Sequence, residues 1–354
     1  MSIVIAVDAM GGDHGLSTTI PSTIRFIKQF PNVTILLVGK LDLMEKSLSK
    51  YNGYNKEQIE LVNATQVVEM DELPQSAMRQ KKDSSMRVAI NLVKDKRASG
   101  IVSAGNTGAL MAIARFVLRT MSGIDRPAIA KLLPTLGSDV CVLDLGANVE
   151  CEPEHLLQFA IMGSLLMQGI FNKESPKVGV LNIGSEDIKG HAGIKKAAEL
   201  IRNSKLNFCG NVEGDDIFKG TVDVVVTDGF TGNVALKVTE GVAKMMGHHV
   251  KTEFSRNIFT KLAALSVMFI LNRVKKRLDT NKYNGAILLG LNGLVIKSHG
   301  GASADGFYYA LLQAMHGIEG NVIPKMTEYL DRHLQELLES QAEEYVEFKE
   351  LNML

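Results

Sequence analysis

The sequence of 354 residues predicts an α/β fold of three layers, in which helices cover both faces of a largely parallel, Rossmann-like sheet. The first observation is that short apolar runs rich in Val and Ile alternate with amphipathic stretches long enough for helices. The second is the abundance of glycine, 32 residues against 8 prolines, which suits many tight strand-to-helix turns. The third is a composition of 45% hydrophobic and 22% charged residues, which is typical of a globular protein with a substantial core.

The predicted elements follow one another along most of the chain. The predicted strands are Ile3–Val7, Val33–Val38, Ile101–Ser103, Val140–Leu145, Val178–Leu181 and Val222–Val226. Two helices that follow such strands are predicted over Ser17–Phe30 and Ala109–Leu118. We expect residues 1–354 to form a single domain.

Two regions break this alternation. Residues 261–278 join an apolar stretch to a basic flank, and we expect a protruding amphipathic helical tip at about 250–282. The segment 328–350 is rich in acidic residues, and we expect an acidic surface helix at about 325–350.

The balance of charge excludes proteins that depend on a strong electrostatic field. Lys and Arg together number 39, as do Asp and Glu, so no global basic field is present to hold nucleic acid. Three cysteines cannot form a disulfide framework, which favours a reducing compartment. The start MSIVIAVDAM lacks the basic region of a signal peptide, and no apolar run reaches the about 18 residues of a membrane span. We therefore expect a cytoplasmic protein.

A repeated glycine loop is the clearest local motif. Val102–Gly108 and Val226–Gly232 share the pattern V-[ST]-x-G-x-T-G, and each follows an apolar strand and opens a helix. Paired glycines let a ligand approach the backbone, and the N-terminus of a helix attracts anions, phosphate above all. The alternative, that these glycines only shape the turns, stays open. Gly11–Gly15 is a third glycine-rich turn.

No motif for a cofactor or a metal accompanies these loops. Neither continues with the Gly-Lys-[Ser/Thr] of a Walker A motif, and the chain lacks the G-x-G-x-x-G fingerprint of dinucleotide-binding proteins. No group of His, Cys and Asp residues has the spacing of metal ligands. The sequence therefore predicts no cofactor and no metal.

A covalent acyl-enzyme is also disfavoured. Cys141 and Cys209 lie in apolar runs typical of small core residues, and acidic neighbours of Cys151 disfavour a thiolate. No G-x-S-x-G nucleophile elbow is present. Acyl transfer, if it occurs, should be direct.

Two further polar residues stand at predicted loops. Lys189 lies beside glycines in the loop 182–191, where it is either a phosphate ligand or a solvated lysine. Asp144 ends a buried strand and either orients that lysine or caps a turn.

Six longer motifs occur in a fixed order. They are AVDAMGGDHG at 6–15, SAGNTGAL at 103–110, GIDRPA at 123–128, LDLGAN at 143–148, TDGFTGNVALK at 227–237 and YNGAILLGLNGLVIKSHG at 283–300. Over about residues 3–312 the chain closely resembles the bacterial phosphate acyltransferases of phospholipid synthesis. The resemblance implies that inorganic phosphate attacks the thioester of a long-chain acyl-[acyl-carrier-protein], which gives acyl phosphate and free carrier protein. It also implies an isocitrate/isopropylmalate-dehydrogenase-like fold, a homodimer, and delivery of the product to a membrane glycerol-3-phosphate acyltransferase.

The resemblance also implies roles for particular residues. Lys189 and Asn233 match functional residues of the family, and His14 is the best candidate for moving a proton. Asp8 and His14 are expected at the same mouth as Lys189 and Asn233. The expected phosphate or substrate ligands are Asp8, Gly11, Gly12, Gly105, Asn106, Thr107, Gly108, Gly229, Phe230, Thr231 and Gly232.

Two other functions remain as alternatives. A phosphotransacetylase-type enzyme on the same fold would share the chemistry but use acyl-coenzyme A. A non-enzymatic scaffold for lipid synthesis would not need Lys189.

The apolar stretch at 262–271 has three competing explanations: a core helix, a dimer interface and a membrane-surface tip. Anionic lipid attracts basic residues next to an apolar surface, which favours peripheral membrane association. The same basic patch could receive the acidic acyl-carrier protein. The residues expected at the membrane or the carrier protein are Leu265, Met268, Phe269, Arg273, Lys275, Lys276 and Arg277.

Overall fold

The computed structural model describes residues 3–277 and 280–332. The strands are β1 (Ile3–Asp8), β2 (Val33–Gly39), β3 (Ile59–Asn63), β4 (Gly100–Ser103), β5 (Ala128–Leu133), β6 (Val140–Leu143), β7 (Lys177–Leu181), β8 (Asn207–Val212), β9 (Val224–Val226), β10 (Ala286–Leu289) and β11 (Leu294–Lys297). The helices are α1 (Leu16–Gln29), α2 (Leu41–Leu48), α3 (Pro74–Gln80), α4 (Ser85–Lys94), α5 (Thr107–Leu118), α6 (Pro153–Phe171), α7 (Ala192–Arg202), α8 (Gly229–Ser255), α9 (Ile258–Ser266), α10 (Met268–Arg277), α11 (Ala304–Glu319) and α12 (322–332). Short 3₁₀ turns lie at Lys56–Gln58, Asp216–Phe218 and Thr280–Tyr283.

All the strands named above belong to one sheet of 11 strands in the order β3-β2-β1-β4-β11-β10-β5-β6-β9-β7-β8. Seven of its ten neighbouring pairs are parallel, and the exceptions all involve β10 or β5 in the middle. The prediction of a largely parallel α/β sheet is confirmed.

The two parallel blocks of the sheet run in opposite directions. Strands β5 and β6 are consecutive in sequence and pair antiparallel through the loop 134–139, so no crossover helix separates them. The strands β1, β2, β3, β4 and β11 therefore end at one edge, which we call the first edge. The strands β6, β7, β8 and β9 end at the opposite edge, which we call the second edge.

Helices cover both faces of the sheet and divide its core into two clusters. One face packs Ile5 and Val7 of β1 against α1, α6 and α11, with Phe159 of α6 fully buried. The other face packs Ala6 and Ile101 against α3, α4 and α5, and α8 covers part of it in the second block. Because both faces are buried, the strands are continuously apolar, which is what made them recognisable in the sequence.

The predicted elements agree with the structure except at some ends. The strand predicted over Val140–Leu145 stops at Leu143, because Asp144 begins the turn that follows. The two predicted helices are found as α1 and α5. The strands β3, β5, β8, β10 and β11 were not predicted.

The segment predicted to form a tip, about 250–282, contains the end of α8 together with α9 and α10. Every side chain from 241 to 250 of α8 is exposed, and α9 buries none of its residues. Among the described residues, no helix is long and apolar enough to cross a membrane. Of the predicted acidic helix at about 325–350, the part to 332 is helical, and the remainder lies outside the described residues.

Candidate functional site

The second edge brings together the loops that follow β6, β7 and β9. Asp144 follows β6 and is fully buried. Its carboxylate accepts hydrogen bonds from the backbone N–H groups of Ile129 (2.9 Å), Gly146 (3.2 Å), Ala147 (3.1 Å) and Asn148 (2.7 Å), and from the Asn148 amide (3.0 Å). Burial raises the pKa of this carboxyl, and these hydrogen bonds oppose the rise. Asp144 therefore organises the turn after β6, which agrees with the capping alternative.

The loop after β9 packs closely against that turn. Asp228 caps α8 by accepting from the Thr231 N–H (2.8 Å) and the Thr231 hydroxyl (2.7 Å). The Gly229 N–H donates to the Asn148 carbonyl at 2.7 Å, and a Cβ at Gly229 would lie 2.5 Å from that oxygen. A Cβ at Gly232 would collide with the Asp144 carbonyl oxygen. These glycines are needed for close packing, and their N–H groups already have acceptors within the protein.

Asn233 lies one position further along α8 and is exposed. In the β6 turn it lies beside Gly146, where a Cβ would lie 3.6 Å from the Asn233 Cβ and Cγ. The amide of Asn233 therefore faces solvent beside the buried Asp144 turn.

Lys189 belongs to a structured turn after β7. Its N–H donates to the Glu186 carbonyl (3.1 Å), and its own carbonyl accepts from the Asn182 amide (3.2 Å). Gly184 lies against its aliphatic stem, since a Cβ there would be 3.0 Å from the Lys189 Cγ. The side chain is exposed. Because β7 and β9 are parallel neighbours in the sheet, the loop that holds Lys189 and the start of α8 that holds Asn233 lie at the same edge.

A cavity of about 300 Å³ opens between these loops. Its lining comes from the chain between β6 and α6, the first turn of α6, the start of α7 and the start of α8: Val149, Glu150, Cys151, Leu156, His191, Gly193, Ile194, Asp228 and Phe230. Phe230 is 64% exposed, so a large apolar ring stands at the mouth of a cavity that also contains acids and a histidine. His191 was not predicted as a site residue, although it ends the same loop as Lys189.

The cysteines are placed against a role as nucleophile. Burial raises the pKa of Cys141 to about 12, and burial together with Asp144 raises that of Cys151 to about 11. The prediction that Cys209 is a core residue is wrong: it is exposed on β8, the last strand of the sheet, which has a neighbouring strand on one side only.

The first edge brings together the loops after β1, β4 and β11. Asp8 is 1% exposed, and its carboxylate accepts from the hydroxyls of Ser85 (2.6 Å) and Ser103 (2.7 Å). Burial raises its pKa, and these hydrogen bonds, with those from the Met10 and Gly11 N–H groups, oppose the rise.

The glycines at this edge allow the three loops to pack in close contact. A Cβ at Gly11 would lie 2.6 Å from the Asp8 Oδ2 and 2.8 Å from the Gly105 nitrogen. Gly12 has φ +89°, and a Cβ there would lie 2.8 Å from the Gly300 carbonyl oxygen.

The start of α5 is tied to the preceding chain. Asn106 caps α5 by accepting from the Ala109 N–H (3.0 Å), and its amide donates to the Met70 and Glu72 carbonyls, each at 2.9 Å. A Cβ at Gly108 would lie 2.7 Å from the Pro74 Cγ. Thr107 is exposed at the first position of the helix.

The expectation that His14 and Asp8 share a mouth with Lys189 and Asn233 is wrong for a single chain. His14 is exposed next to the loop after β1, at the first edge, whereas the other two lie at the second. The reason is the β5–β6 hairpin, which reverses the direction of the second block. Among the described residues, no group of three or more His, Cys, Asp or Glu side chains is placed to hold a metal ion.

Comparison with known proteins supplies a family. The family described as fatty acid synthesis protein matches residues 3–325. The phosphate acyltransferase of Chromobacterium violaceum is 57% identical over 343 residues, which cover 97% of this chain and 99% of that protein. The phosphate acyltransferase of Bordetella parapertussis is 52% identical over 96% of this chain and 97% of its own length.

Solved structures with a similar fold are more distant in sequence. A phosphotransacetylase from Streptococcus pyogenes superposes with a TM-score of 0.61 at 18% identity, over 90% of this chain and 94% of that one. A 4-hydroxythreonine-4-phosphate dehydrogenase from Klebsiella pneumoniae gives a TM-score of 0.53 at 13% identity, over 89% and 99%. These likenesses support the three-layer α/β fold alone. From the matches over nearly its whole length, the chain belongs to the family of fatty acid synthesis proteins that contains the phosphate acyltransferases.

Proposed function

We propose that the protein transfers the acyl group of a long-chain acyl-[acyl-carrier-protein] to inorganic phosphate at the second edge. That it is an acyltransferase that forms acyl phosphate for phospholipid synthesis follows from its family and its relatives named phosphate acyltransferase. The observation that carries the location is that the segments holding Lys189 and Asn233 follow two adjacent strands. Their neighbours His191 and Phe230 line a cavity of about 300 Å³.

In the proposed reaction, a phosphate oxygen attacks the thioester carbonyl carbon. The carbon–sulfur bond breaks, the acyl phosphate leaves, and the carrier thiolate takes up a proton. Lys189 balances the charge of the phosphate, and the Asn233 amide donates to the oxygen on which negative charge grows.

Two features support direct attack. The thiol nearest the cavity, Cys151, has its pKa raised to about 11, so it is protonated at neutral pH. Phosphate is partly dianionic at about pH 7, so it needs no general base. His14, which lies at the first edge, is not required by this route.

The donor is tested by supplying palmitoyl-[acyl-carrier-protein] and palmitoyl-coenzyme A in parallel. We expect acyl phosphate from the carrier-bound acyl group at a much higher kcat/KM. Equal or better use of the coenzyme A thioester would instead make the protein a phosphotransacetylase. A Lys189→Ala variant with full cellular function would favour the scaffold.

We also propose that helices α9 and α10 contact an anionic membrane surface, where the apolar product leaves the enzyme. Leu265 is 62% exposed, Phe269 is 60% exposed and Met268 is 43% exposed. The Arg273 guanidinium lies 5.7 Å from the centre of the Phe269 ring, so a cation adjoins the apolar surface. Lys275, Lys276 and Arg277 continue α10, and their side chains lie outside the described residues.

Flotation with liposomes tests this contact. Wild type is compared with a Leu265→Glu/Phe269→Glu double variant, on anionic and on neutral lipid. We expect wild type alone to float, and only with anionic lipid. Equal flotation of both proteins would reject the membrane contact.

A homodimer interface is the other expected role of the exposed apolar side chains of α9 and α10. If the double variant becomes monomeric in ultracentrifugation while wild type is dimeric, these helices pair between subunits. A glycerol-3-phosphate acyltransferase in the membrane is the expected acceptor of the product, because an acyl phosphate is reactive in water.

A further inference from the structure

A row of polar residues crosses the middle of the otherwise apolar sheet. The strand register pairs Asp8 with Ser103, Ser103 with Lys297, and Lys297 with Ala286. The register of β10 with β5 continues this row to Lys131. Directly paired residues point to the same face, so the two lysines flank the small Ala286 at two strand spacings, about 10 Å.

Both lysines of the row are largely removed from water. Lys297 is 8% exposed, and its ammonium donates to the carbonyl oxygens of Ala104 (3.4 Å) and Ser298. The Lys131 side chain is 16% exposed, and its ammonium lies 3.4 Å from the Glu240 carboxylate. Burial lowers the pKa of Lys297 to about 8, against the opposing effect of Asp8 and Asp13.

Helix α8 brings a third cation to this row. Lys237 lies 3.3 Å from the same Glu240 carboxylate that pairs with Lys131. Burial is the main cause that lowers the pKa values of Lys131, Lys297 and His299, and the charge of Lys237 adds to the lowering of each. The Glu240 carboxylate is thus shared by the ammonium groups of Lys131 and Lys237. The acids that act on Lys297 are Asp13 and Asp8, and the Asp8 oxygens accept from serine hydroxyls.

Two of these lysines share one carboxylate and the third donates to neutral carbonyls, so an additional anion at this row would be electrostatically favoured. We propose that Lys131, Lys237 and Lys297 form a binding site for a phosphate group, in addition to the site at the second edge. A phosphate carries up to two charges and several acceptor oxygens, so it can accept hydrogen bonds from more than one ammonium group. This inference rests on the proposed function for its two sources of phosphate: the inorganic substrate, and the phosphodiester of the carrier protein's prosthetic arm.

The position on α8 connects the two sites. Asn233, Lys237, Glu240 and Lys244 follow one another at spacings of four, three and four residues, so they share one face of the helix. From Asn233 to Lys244 this face rises about 16 Å, from the second edge towards the first. A substrate with a reacting group at one end and a phosphate at the other would follow this face.

Titration calorimetry with inorganic phosphate tests the site. The variants are Lys237→Ala, Lys297→Met, the conservative Lys237→Arg, and Lys189→Ala for the site at the second edge. Lys46→Ala is the matched control, because Lys46 is an exposed lysine on α2, which packs by β3 at the far end of the sheet. In parallel, KM is measured for phosphate and for the acyl carrier protein.

If the site binds free phosphate, Lys237→Ala and Lys297→Met weaken phosphate binding about tenfold each, which is about 1.4 kcal/mol. Lys237→Arg and the control keep the wild-type Kd. If the site binds the arm, phosphate binding stays unchanged and KM for the carrier protein rises about tenfold in the same variants.

If Lys237→Ala changes neither the Kd for phosphate nor the KM for the carrier protein, the site does not exist. Lys297 then serves only to join the loops after β4 and β11 through its hydrogen bonds to Ala104 and Ser298. Lys237 is exposed, so that variant decides the question even if Lys297→Met fails to fold. If Lys237→Ala weakens phosphate binding but wild type forms no acyl phosphate, the proposed function is wrong and the phosphate site remains.

Discussion

The two copies of the V-[ST]-x-G-x-T-G pattern fold differently, although they share four positions and the same strand-loop-helix setting. In the first copy the cap is Asn106, and α5 begins at Thr107. In the second the cap is Asp228, two positions earlier in the pattern, and α8 begins at Gly229. The difference arises because the third position is Ala104 in one copy and a capping carboxylate in the other. A short polar side chain, rather than the glycines, therefore decides which N–H groups lie at the start of the helix.

The copies also stand at opposite edges, and catalysis offers the largest expected contrast between them. Lys189→Ala and Asn233→Ala at the second edge should each lower kcat by roughly 10² to 10³, or about 2.7–4 kcal/mol, because each removes a donor to developing charge. His14→Ala at the first edge should retain most of the activity. Steady-state kinetics on all three variants, with thermal unfolding as a check on folding, measures this. If His14→Ala lost as much as the other two, both edges would serve one reaction, and the separation would hold only within a single chain.

Packing gives the next contrast. Gly232→Ala should destabilise the protein by about 3 kcal/mol, since the new Cβ meets the backbone carbonyl of Asp144, which cannot move without disrupting the turn. Gly105→Ala should cost less, because its Cβ meets the flexible end of Met86 at 2.6 Å, with the Ser103 hydroxyl at 3.3 Å. Urea denaturation compares the two. Equal losses would mean that the loop at the first edge is as rigid as that at the second.

Removing the N-caps of α5 and α8 should cause smaller losses of stability that also differ between the two edges. Asp228→Ala should cost about 1 kcal/mol, the usual value for a helix cap. Asn106→Ala should cost about 2 kcal/mol, because its amide also holds the carbonyls of Met70 and Glu72. The midpoint of chemical unfolding reports both, and a larger loss for Asp228→Ala would contradict the ranking.

The smallest effect is expected at the thiols. Cys141→Ser, Cys151→Ser and Cys209→Ser should keep kcat close to wild type, since attack by phosphate needs no thiol. Iodoacetamide should label Cys209 first, because it alone of the three is exposed. Loss of activity on labelling, prevented by Cys151→Ser, would instead indicate an acyl-enzyme.

Most of the parallel strands could be predicted, because burial on both faces makes them continuous runs of Val, Ile and Leu. The sequence of β5 and β6 contains a hairpin signal, but only β6 was predicted as a strand. The apolar run Ala128–Leu133 is followed by PTLGSD and then Val140, which is the pattern of a hairpin with Pro and Gly in its loop. That hairpin and the antiparallel pairings of β10 with β11 and β5 together place the two glycine loops at opposite edges.

The site was predicted unevenly for a similar reason. Lys189 and Asn233 stand in motifs of a known family, so their place at one edge could be expected. The row that contains Lys131 and Lys297 depends on strand register, which brings together residues 166 positions apart in sequence. No local pattern marks it. Cys209 was misjudged because an apolar run does not reveal whether its strand lies at the border of the sheet.

The length of α8 has a mechanical consequence. Its first turn is clamped by Gly229 and Gly232 against the β6 turn, while its side chains beyond 240 have almost no support from the body. A helix of 27 residues is about 40 Å long, so it acts as a lever whose fulcrum is beside Asn233. A tilt of about 10° at that fulcrum would carry the far end through about 7 Å. A displacement of α9 and α10 would therefore produce a smaller movement, with a larger force, at the first turn of α8.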